Sequence, residues 1–290
     1  MANNITLAKN YTDLLDEVYK NASATADLTS DPRMMRAGAN AKEILYPQIS
    51  VSGLGDYDRN SGYTNGAVNV VWKTATFNYD RGTKISVDTM DDQETFNIAF
   101  GAAGATLQRD KVAPEADAFV FATLAGLTGI SKATPTSYAN ASDFLSALIE
   151  AKNEMDEDEV PLDNRILYAT PTLLNSVMSL DTTKSREILD TFMLKKSVPQ
   201  SRFYTVIELL DGKSSGEELG HYKKAASGKD INFMIVHKPA IIKFDKHIAS
   251  NIIVPENNPD ADAYICKYRK YGLVDAYKNK VAGIYLSHKA

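Results

Sequence analysis

Residues 44–88 read ILYPQISVSGLGDYDRNSGYTNGAVNVVWKTATFNYDRGTKISVD, and this stretch decides the fold. Two β-rich runs flank a polar segment that contains Gly62 and the dipeptide Asn65–Gly66. Asn-Gly predicts a hairpin tip because both residues tolerate positive φ. On the return side the residues alternate, with Phe77, Tyr79 and Arg81 on one face and Thr76, Asn78 and Asp80 on the other. The stretch therefore predicts a long two-stranded ribbon.

A ribbon of this kind is marginal in water unless a third strand or another surface covers it. The next element along the chain is a helix, so little nearby sequence offers that cover. A second copy of the chain could supply it, which is a first indication of an assembly. The alternative is a hairpin that folds back on its own domain.

After the ribbon the hydrophobic period changes to that of a helix. Asp91 and Glu94 have the spacing of a capping box, and capping explains the nearby carboxylates better than a cation site does. An apolar face follows at Phe96, Ala99, Phe100, Ala103 and Leu107. We expect Pro114 to kink or restart this long helical region.

The rest of the chain mixes helices and strands. The patterns predict helices at 142–155 and 171–180 and strands at 165–169, 205–209, 231–236 and 240–244, and then two final strands within 263–286 around a turn at 278–280. At the other end, the first residues predict a short amphipathic helix with apolar positions Leu7, Tyr11, Leu14, Leu15 and Val18. This helix either packs on its own domain or forms an arm that packs on a neighbour.

Composition excludes several classes of protein. The 290-residue chain carries a net charge of −5 and shows no basic stripe of the kind that nucleic-acid binders use. Its single cysteine, Cys266, excludes an intramolecular disulfide and is expected to be a buried, inert thiol. The N-terminus does not have the pattern of a signal peptide, and no run reaches the ~18 apolar residues of a membrane span. We therefore expect synthesis and assembly in the cytosol.

Motifs for chemistry are weak. Gly212–Lys213–Ser214 resembles the end of a phosphate loop, but Ile207 stands where that motif needs a glycine. The four histidines, His221, His237, His247 and His288, form no metal or catalytic pattern. The acidic residues 156–159 are expected to form a solvated loop. No catalytic, cofactor-binding or metal residue is predicted, although a soluble hydrolase with its site in residues 129–260 stays open as an alternative.

Three segments together resemble the major capsid proteins of tailed bacteriophages, which share the Hong Kong 97-type fold. Residues 55–95, from GDYDRNSGYTNGAVNVVWKT to DRGTKISVDTMDDQET, are similar to the family's E-loop hairpin and its passage into the spine helix. Residues 159–177, EVPLDNRILYATPTLLNSV, resemble a strand and helix of the A-domain. Residues 264–286, YICKYRKYGLVDAYKNKVAGIYL, resemble the return strand of the P-domain and the last strand of the A-domain.

The resemblance implies an α+β fold with an N-arm, an extended β-hairpin E-loop, a P-domain with a long spine helix, and an α/β A-domain. The implied parts are the N-arm (1–42), the E-loop (43–84), the spine-helix region (85–128), the A-domain (129–260), the P-domain return strand (261–278) and the final A-domain strand (279–290). Contacts between subunits are expected in the E-loop at Tyr57, Arg59, Tyr63, Asn65, Gly66, Trp72, Phe77, Tyr79 and Arg81, and in the N-arm at its five apolar positions.

The resemblance also implies a function. The chain would be a non-enzymatic major capsid protein, forming hexamers and pentamers of an icosahedral head that encloses double-stranded DNA without sequence-specific binding. It would assemble in the host cytoplasm, reside in the virion capsid, and work with a separate scaffolding protein and a portal, without cofactor, metal or membrane. A cross-link from Lys73 or Lys84 to Asn279 is chemically possible but not expected. An encapsulin-like compartment is the alternative with the same fold.

Overall fold

The computed structural model describes residues 23–30, 36–37, 42–94, 104–180 and 183–290. Its strands are β1 (Arg36–Ala37), β2 (Glu43–Val51), β3 (Val68–Thr76), β4 (Tyr79–Asp88), β5 (Ser131–Lys132), β6 (Arg165–Ala169), β7 (Leu194–Ser197), β8 (Ile207–Leu209), β9 (Tyr222–Lys224), β10 (Ile231–His237), β11 (Ile241–Ile253), β12 (Ala263–Ala276) and β13 (Ile284–His288). Its α-helices are α1 (Thr89–Glu94), α2 (Ala113–Ala125), α3 (Ala141–Glu157), α4 (Pro171–Met178) and α5 (Thr183–Asp190). The mixed α+β class is confirmed.

The strands form three main sheets. The hairpin sheet has the order β1-β2-β3, the long sheet is antiparallel with the order β11-β12-β4, and the central sheet has the order β5-β13-β10-β6-β7. In the central sheet, β10 is antiparallel to both β6 and β13, whereas β6–β7 and β13–β5 are parallel pairs. Strands β8 and β9 form a small separate ribbon.

The central sheet is buried on both faces. Ile166 and Tyr168 point to one core with Phe121 and Leu124 of α2, and the alternate residues Leu167 and Ala169 point to a second core formed with α3, α4 and α5. Because both faces are covered, β6 and β10 are buried at every position. Cover from two layers thus explains why these strands read as continuous apolar runs.

Strand β4 does not extend the hairpin, as the predicted ribbon had it. It pairs with β12 from Ala263↔Asp88 to Gly272↔Tyr79, so the hairpin ends at Thr76 and β4 belongs to the long sheet. Strand β11 pairs with β12 as well, so residues 241–253 lie in the long sheet and not in the central sheet. Alternation along the sequence fixes which residues share a face, but the partner strand lies far away in the chain.

The helical region after β4 differs in one detail from the prediction. Asp88, not Asp91, caps α1, because its carboxylate accepts a hydrogen bond from the Met90 N–H (2.9 Å). Pro114 lies in the first turn of α2, which begins at Ala113 directly after a π-helical turn at Gln108–Val112, so the regular α-helix restarts at the proline as predicted. The wider π turn directly precedes the proline, whose missing N–H and ring would disturb a regular helix.

None of the helices in the described part of the chain is long and apolar enough to cross a membrane.

Candidate assembly surface

The base of the hairpin is anchored in its own subunit. Ile44, Tyr46 and Ala75 are buried in a small core, and the Tyr46 ring meets the Tyr277 ring edge to face at a centroid distance of 5.1 Å. The contact joins β2 to the end of the long sheet. The base of the hairpin is therefore packed like any other part of the core.

Farther from the base, one face of the hairpin is apolar and uncovered. The register pairs Val51 with Val68, Ile49 with Val70 and Pro47 with Trp72, and directly opposite residues of an antiparallel pair share a face. On this face Val51 is 68% exposed, Val68 67%, Ile49 59%, Val70 50% and Trp72 42%. We call Ile49, Val51, Val68, Val70 and Trp72 the apolar stripe. A contiguous stripe of this kind is typical of an interaction surface.

The opposite face and the outer edge differ from the stripe. The alternate residues of the same segments are mostly polar: Gln48, Ser50, Asn69, Val71 and Lys73. Within the described residues β3 hydrogen-bonds only with β2, so its other edge presents unpaired backbone groups. Arg36 lies 5.0 Å from the Trp72 ring centre and shields part of that side chain. The hairpin is thus two-sided, with the apolar side facing away from its own subunit's core.

The tip of the hairpin turns at Asp58–Gly62, so of the two turn signals predicted for the tip Gly62 lies in the turn and Asn65–Gly66 does not. Asp58 and Gly62 exchange backbone hydrogen bonds of 3.2 and 2.7 Å, and the Asp58 carboxylate accepts from the N–H groups of Asn60 and Ser61. Of Asn60, Gly62, Asn65 and Gly66, only Gly62 has a positive φ, at 79°. Asp58 supplies the local hydrogen bonds that make this turn favourable. These bonds also hold the pKa of the Asp58 carboxyl below its usual range.

The tip also carries exposed side chains. Tyr57 and Tyr63 contact each other edge to face at 4.8 Å between ring centres and remain 59% and 88% exposed. Leu54 is fully exposed nearby, and Arg59, Asn65 and Gly66 are exposed too. Aromatic residues presented on a protruding loop suit contact with another protein surface.

Three of the residues expected at inter-subunit contacts pack against other residues of the same chain. Phe77 stacks on Tyr271 at 4.7 Å, Tyr79 is 5% exposed, and Arg81 Nε donates to Glu115 Oε1 at 2.7 Å. They lie beyond the end of the hairpin and make these contacts within the chain itself, and their assignment as inter-subunit contacts stays a prediction. Tyr79 and Arg81 share the face of β4 that packs on α2. The five N-arm positions lie outside the described residues.

Glu115 on α2 contacts Arg81 of β4 and His221 of the loop before β9. Burial acts to raise its pKa, but His221 Nδ1 at 3.6 Å and the Arg81 guanidinium outweigh burial, so the pKa lies below its usual value. Arg81 also donates to the His221 carbonyl at 3.2 Å. These residues line a groove of about 310 Å³. The charges are mutually compensated, which is typical of a structural contact.

The phosphate-loop resemblance at Gly212–Ser214 has a structural explanation. Asp211 Oδ1 accepts hydrogen bonds from the N–H groups of Lys213 (2.7 Å) and Ser214 (2.8 Å), and Oδ2 accepts from the Ser214 hydroxyl (2.6 Å). These bonds lower the pKa of Asp211 to about 2. The N–H groups that would hold a phosphate are already occupied by a carboxylate of the chain itself.

Other candidate groups for chemistry are structural or solvated. Cys266 is buried as predicted, and burial raises the pKa of its thiol. Residues 156–159 are exposed, and Asp156 contacts Arg165 at 2.7 Å. Within the described ranges, no three His, Cys, Asp or Glu side chains cluster at metal-binding distance.

Sequence reasoning missed a buried carboxylate on α2. Asp117 has no exposed surface and hydrogen-bonds to Ser23, Ala24 and Thr25. The available signal was an aspartate directly before the mostly apolar run AFVFATLA (118–125), where a charge is costly unless it is paired. Its partners, more than ninety residues earlier, could not be read from the sequence.

Comparisons with known proteins give a clear result for the fold. No family model matches the sequence, and no curated protein matches it either. Solved structures do match: the capsid of the cyanophage P-SCSP1u (12% identity, 93% of this chain and 88% of that chain, TM-score 0.59) and the mature capsid of bacteriophage PhiM1 (12%, 86% and 82%, 0.56). A virus-like particle from Pyrococcus furiosus also matches (9%, 97% and 99%, 0.60).

The chain therefore has a mixed helix-and-strand, capsid-type fold of the kind found in tailed bacteriophages, and at this level the fold implied by the three sequence segments is confirmed. The low identities explain why the sequence matches nothing while the structure matches over nearly the whole chain.

Proposed function

We propose that this chain is a major capsid protein that self-assembles into the shell of a tailed-bacteriophage head. The single observation that carries the proposal is the apolar stripe, which the described part of its own subunit leaves exposed in a chain with a capsid-type fold. The mode of contact we propose is that a second copy of the chain covers the stripe.

The stripe fits contact with another copy for physical reasons. Burying its valine and isoleucine side chains contributes on the order of 1 kcal/mol each, and Trp72 adds a larger area. A patch on one subunit that meets a different patch on the next gives a head-to-tail contact, and such contacts form a ring when the rotation between subunits closes. We infer that hexamers and pentamers arise in this way, with Tyr57, Arg59, Tyr63, Asn65 and Gly66 of the tip at the same contact.

The remaining assignments follow from the same proposal. The shell would enclose double-stranded DNA without reading its sequence, assemble in the host cytoplasm and reside in the virion capsid. A separate scaffolding protein and a portal would take part. The apolar positions Leu7, Tyr11, Leu14, Leu15 and Val18 would contact a neighbouring subunit. The role is structural and needs no catalytic residue.

A charge placed on either face of β3 tests the proposal. Val70→Asp should leave a folded, soluble subunit and abolish particles in sedimentation and electron microscopy. Asn69→Asp puts the same charge on the opposite face of the same strand and should leave particle formation intact. Trp72 is the only tryptophan, so its emission should shift to shorter wavelength when wild-type subunits assemble. Wild-type protein that stays monomeric under all assembly conditions, or normal particles from Val70→Asp, would contradict the proposal.

A second candidate is a protein compartment without a genome, favoured by the high coverage of the match to the Pyrococcus particle. The two candidates share the fold and the interface and differ in content. Nuclease-protected double-stranded DNA inside purified particles supports the phage head. A co-purified cargo protein in place of DNA supports the compartment.

A further inference from the structure

Residues 23–30 are tied to helix α2 by a fully buried carboxylate. Asp117 accepts hydrogen bonds from Ser23 Oγ (2.7 Å), the Ala24 N–H (2.9 Å), the Thr25 N–H (3.1 Å) and Thr25 Oγ1 (2.8 Å). Arg202 Nη1 completes the set at 3.2 Å. A buried charge is tolerated when it is paired and hydrogen-bonded, and this carboxylate is both. The position of residues 23–25 is therefore specified by Asp117.

The same segment is also fixed to β11. The buried Lys243 Nζ donates to the Thr25 carbonyl (2.6 Å) and to Thr25 Oγ1 (3.1 Å). Ser30 donates its N–H to the Lys243 carbonyl (2.9 Å) and its hydroxyl to the Ile241 carbonyl (2.8 Å). Between these hydrogen-bonded residues, Leu28 is fully buried in the core that α2 forms with one face of the central sheet. We call residues 23–30 the strap, because they run from α2 to β11 and are held at both ends.

The strap changes which residues can reach a neighbouring subunit. Residues up to 42 were expected to form one arm, but 23–30 are fixed on their own subunit. We infer that Asp117 is a positioning residue for assembly: it fixes the strap, so that the arm that contacts a neighbour consists of residues before Ser23 and leaves the subunit at one defined point. This inference rests on the proposed function.

The length of the tether determines how far the arm can reach. Loss of the Asp117 bonds would free residues 23–25 and lengthen the tether of the arm by about 10 Å, at roughly 3.3–3.6 Å per extended residue. The effective concentration of a tethered group at its binding site falls as its tether grows beyond the required span. A fixed exit point therefore keeps the effective concentration of the arm high at its binding site on one neighbouring subunit.

Asp117→Asn tests the inference, with Asp110→Asn as the matched control. The amide keeps the shape of Asp117 but presents an NH₂ group to donors and removes the charge that pairs with Arg202. Asp110 lies exposed in the preceding π turn and forms an ion pair with the adjacent Arg109 at 2.9 Å. We expect Asp117→Asn to exchange the amide hydrogens of residues 24 and 25 at least tenfold faster, because these two N–H groups donate to Asp117, while the 231–237 peptide stays protected. We also expect few or irregular particles. Asp110→Asn should match the wild type in both measurements.

Each other outcome overturns the inference. Unchanged exchange in the strap of Asp117→Asn means that Asp117 is not the anchor. Faster exchange with normal particles means that the strap does not position the arm. If Asp117→Asn fails to fold, the Ser23→Ala, Thr25→Val double variant removes two donors and leaves Arg202 on Asp117, and the same two measurements decide. Failure of the proposed function is distinguishable, because wild-type protein would then form no particles.

Discussion

Strands β10 and β3 are both rich in apolar residues, yet they lie in opposite environments. β10, INFMIVH, is buried at every position, whereas in β3, VNVVWKTAT, only Ala75 is buried. The difference is the number of layers that the same chain supplies. β10 lies between α2 on one side and α3, α4 and α5 on the other, and β3 extends beyond the core that covers its base. An apolar strand thus predicts burial without saying which molecule provides it.

The largest effect should come from removing a side chain on the covered strand. Phe233 is fully buried, 5.5 Å from the Phe144 ring centre and 6.0 Å from that of Tyr285. Phe233→Ala should lower the free energy of unfolding by about 3–5 kcal/mol, because it leaves a cavity. Val70→Ala should change it by less than about 0.5 kcal/mol in the isolated subunit. Urea denaturation of unassembled protein measures both, and a large loss for Val70→Ala would show that the hairpin is covered by its own chain.

A second prediction concerns the buried side chain of Lys243, because burial away from water disfavours the charged form of a lysine. Burial lowers the pKa of Lys243 to about 8 from its usual 10.5. Between these values the unfolded chain binds the proton and the folded chain does not, so the free energy of unfolding should rise with pH, by on the order of 1–3 kcal/mol. Ionisation of tyrosines in the unfolded chain opposes this rise near pH ~10.

Urea melts between pH 7.5 and 9.5 measure this slope, and Lys243→Met provides the control. The wild type should gain stability relative to Lys243→Met as the pH rises through this range. Parallel pH profiles for the two proteins would show that Lys243 does not titrate in the folded subunit.

The smallest effect is expected at the uncovered tip. Gly62 has a φ of 79°, and a Cβ built on it meets no atom within 4 Å. The cost of Gly62→Ala is then only that of the left-handed backbone, about 1 kcal/mol. Calorimetry should show a small decrease in the melting temperature, with no change in the amide exchange of β10. A loss of several kcal/mol would mean that the tip packs on its own subunit.

Patterns with a local cause were predicted well from the sequence. The 3.6-residue period of α3, the strand and proline-led helix at 165–178, and the burial of Cys266 all follow from neighbouring residues. The alternation around Phe77 and Tyr79 was right about faces but wrong about the partner, because β4 pairs with β12. The tip was predicted at Gly62 and Asn65–Gly66, and the hydrogen bonds of Asp58 place the turn at Asp58–Gly62, which leaves Asn65–Gly66 outside it.

The mixture of helices and strands, the existence of a ribbon that the nearby sequence offers little to cover, and the weakness of every catalytic motif all follow from the sequence alone. These properties depend on composition and on periods of two or 3.6 residues, which neighbouring positions carry. Only the tertiary structure decided that the apolar residues of β2 and β3 share one uncovered face, that β4 leaves the ribbon, and that Asp117 holds residues 23–30. Register and long-range hydrogen bonds join residues that are distant in the chain, and no local pattern records such pairs.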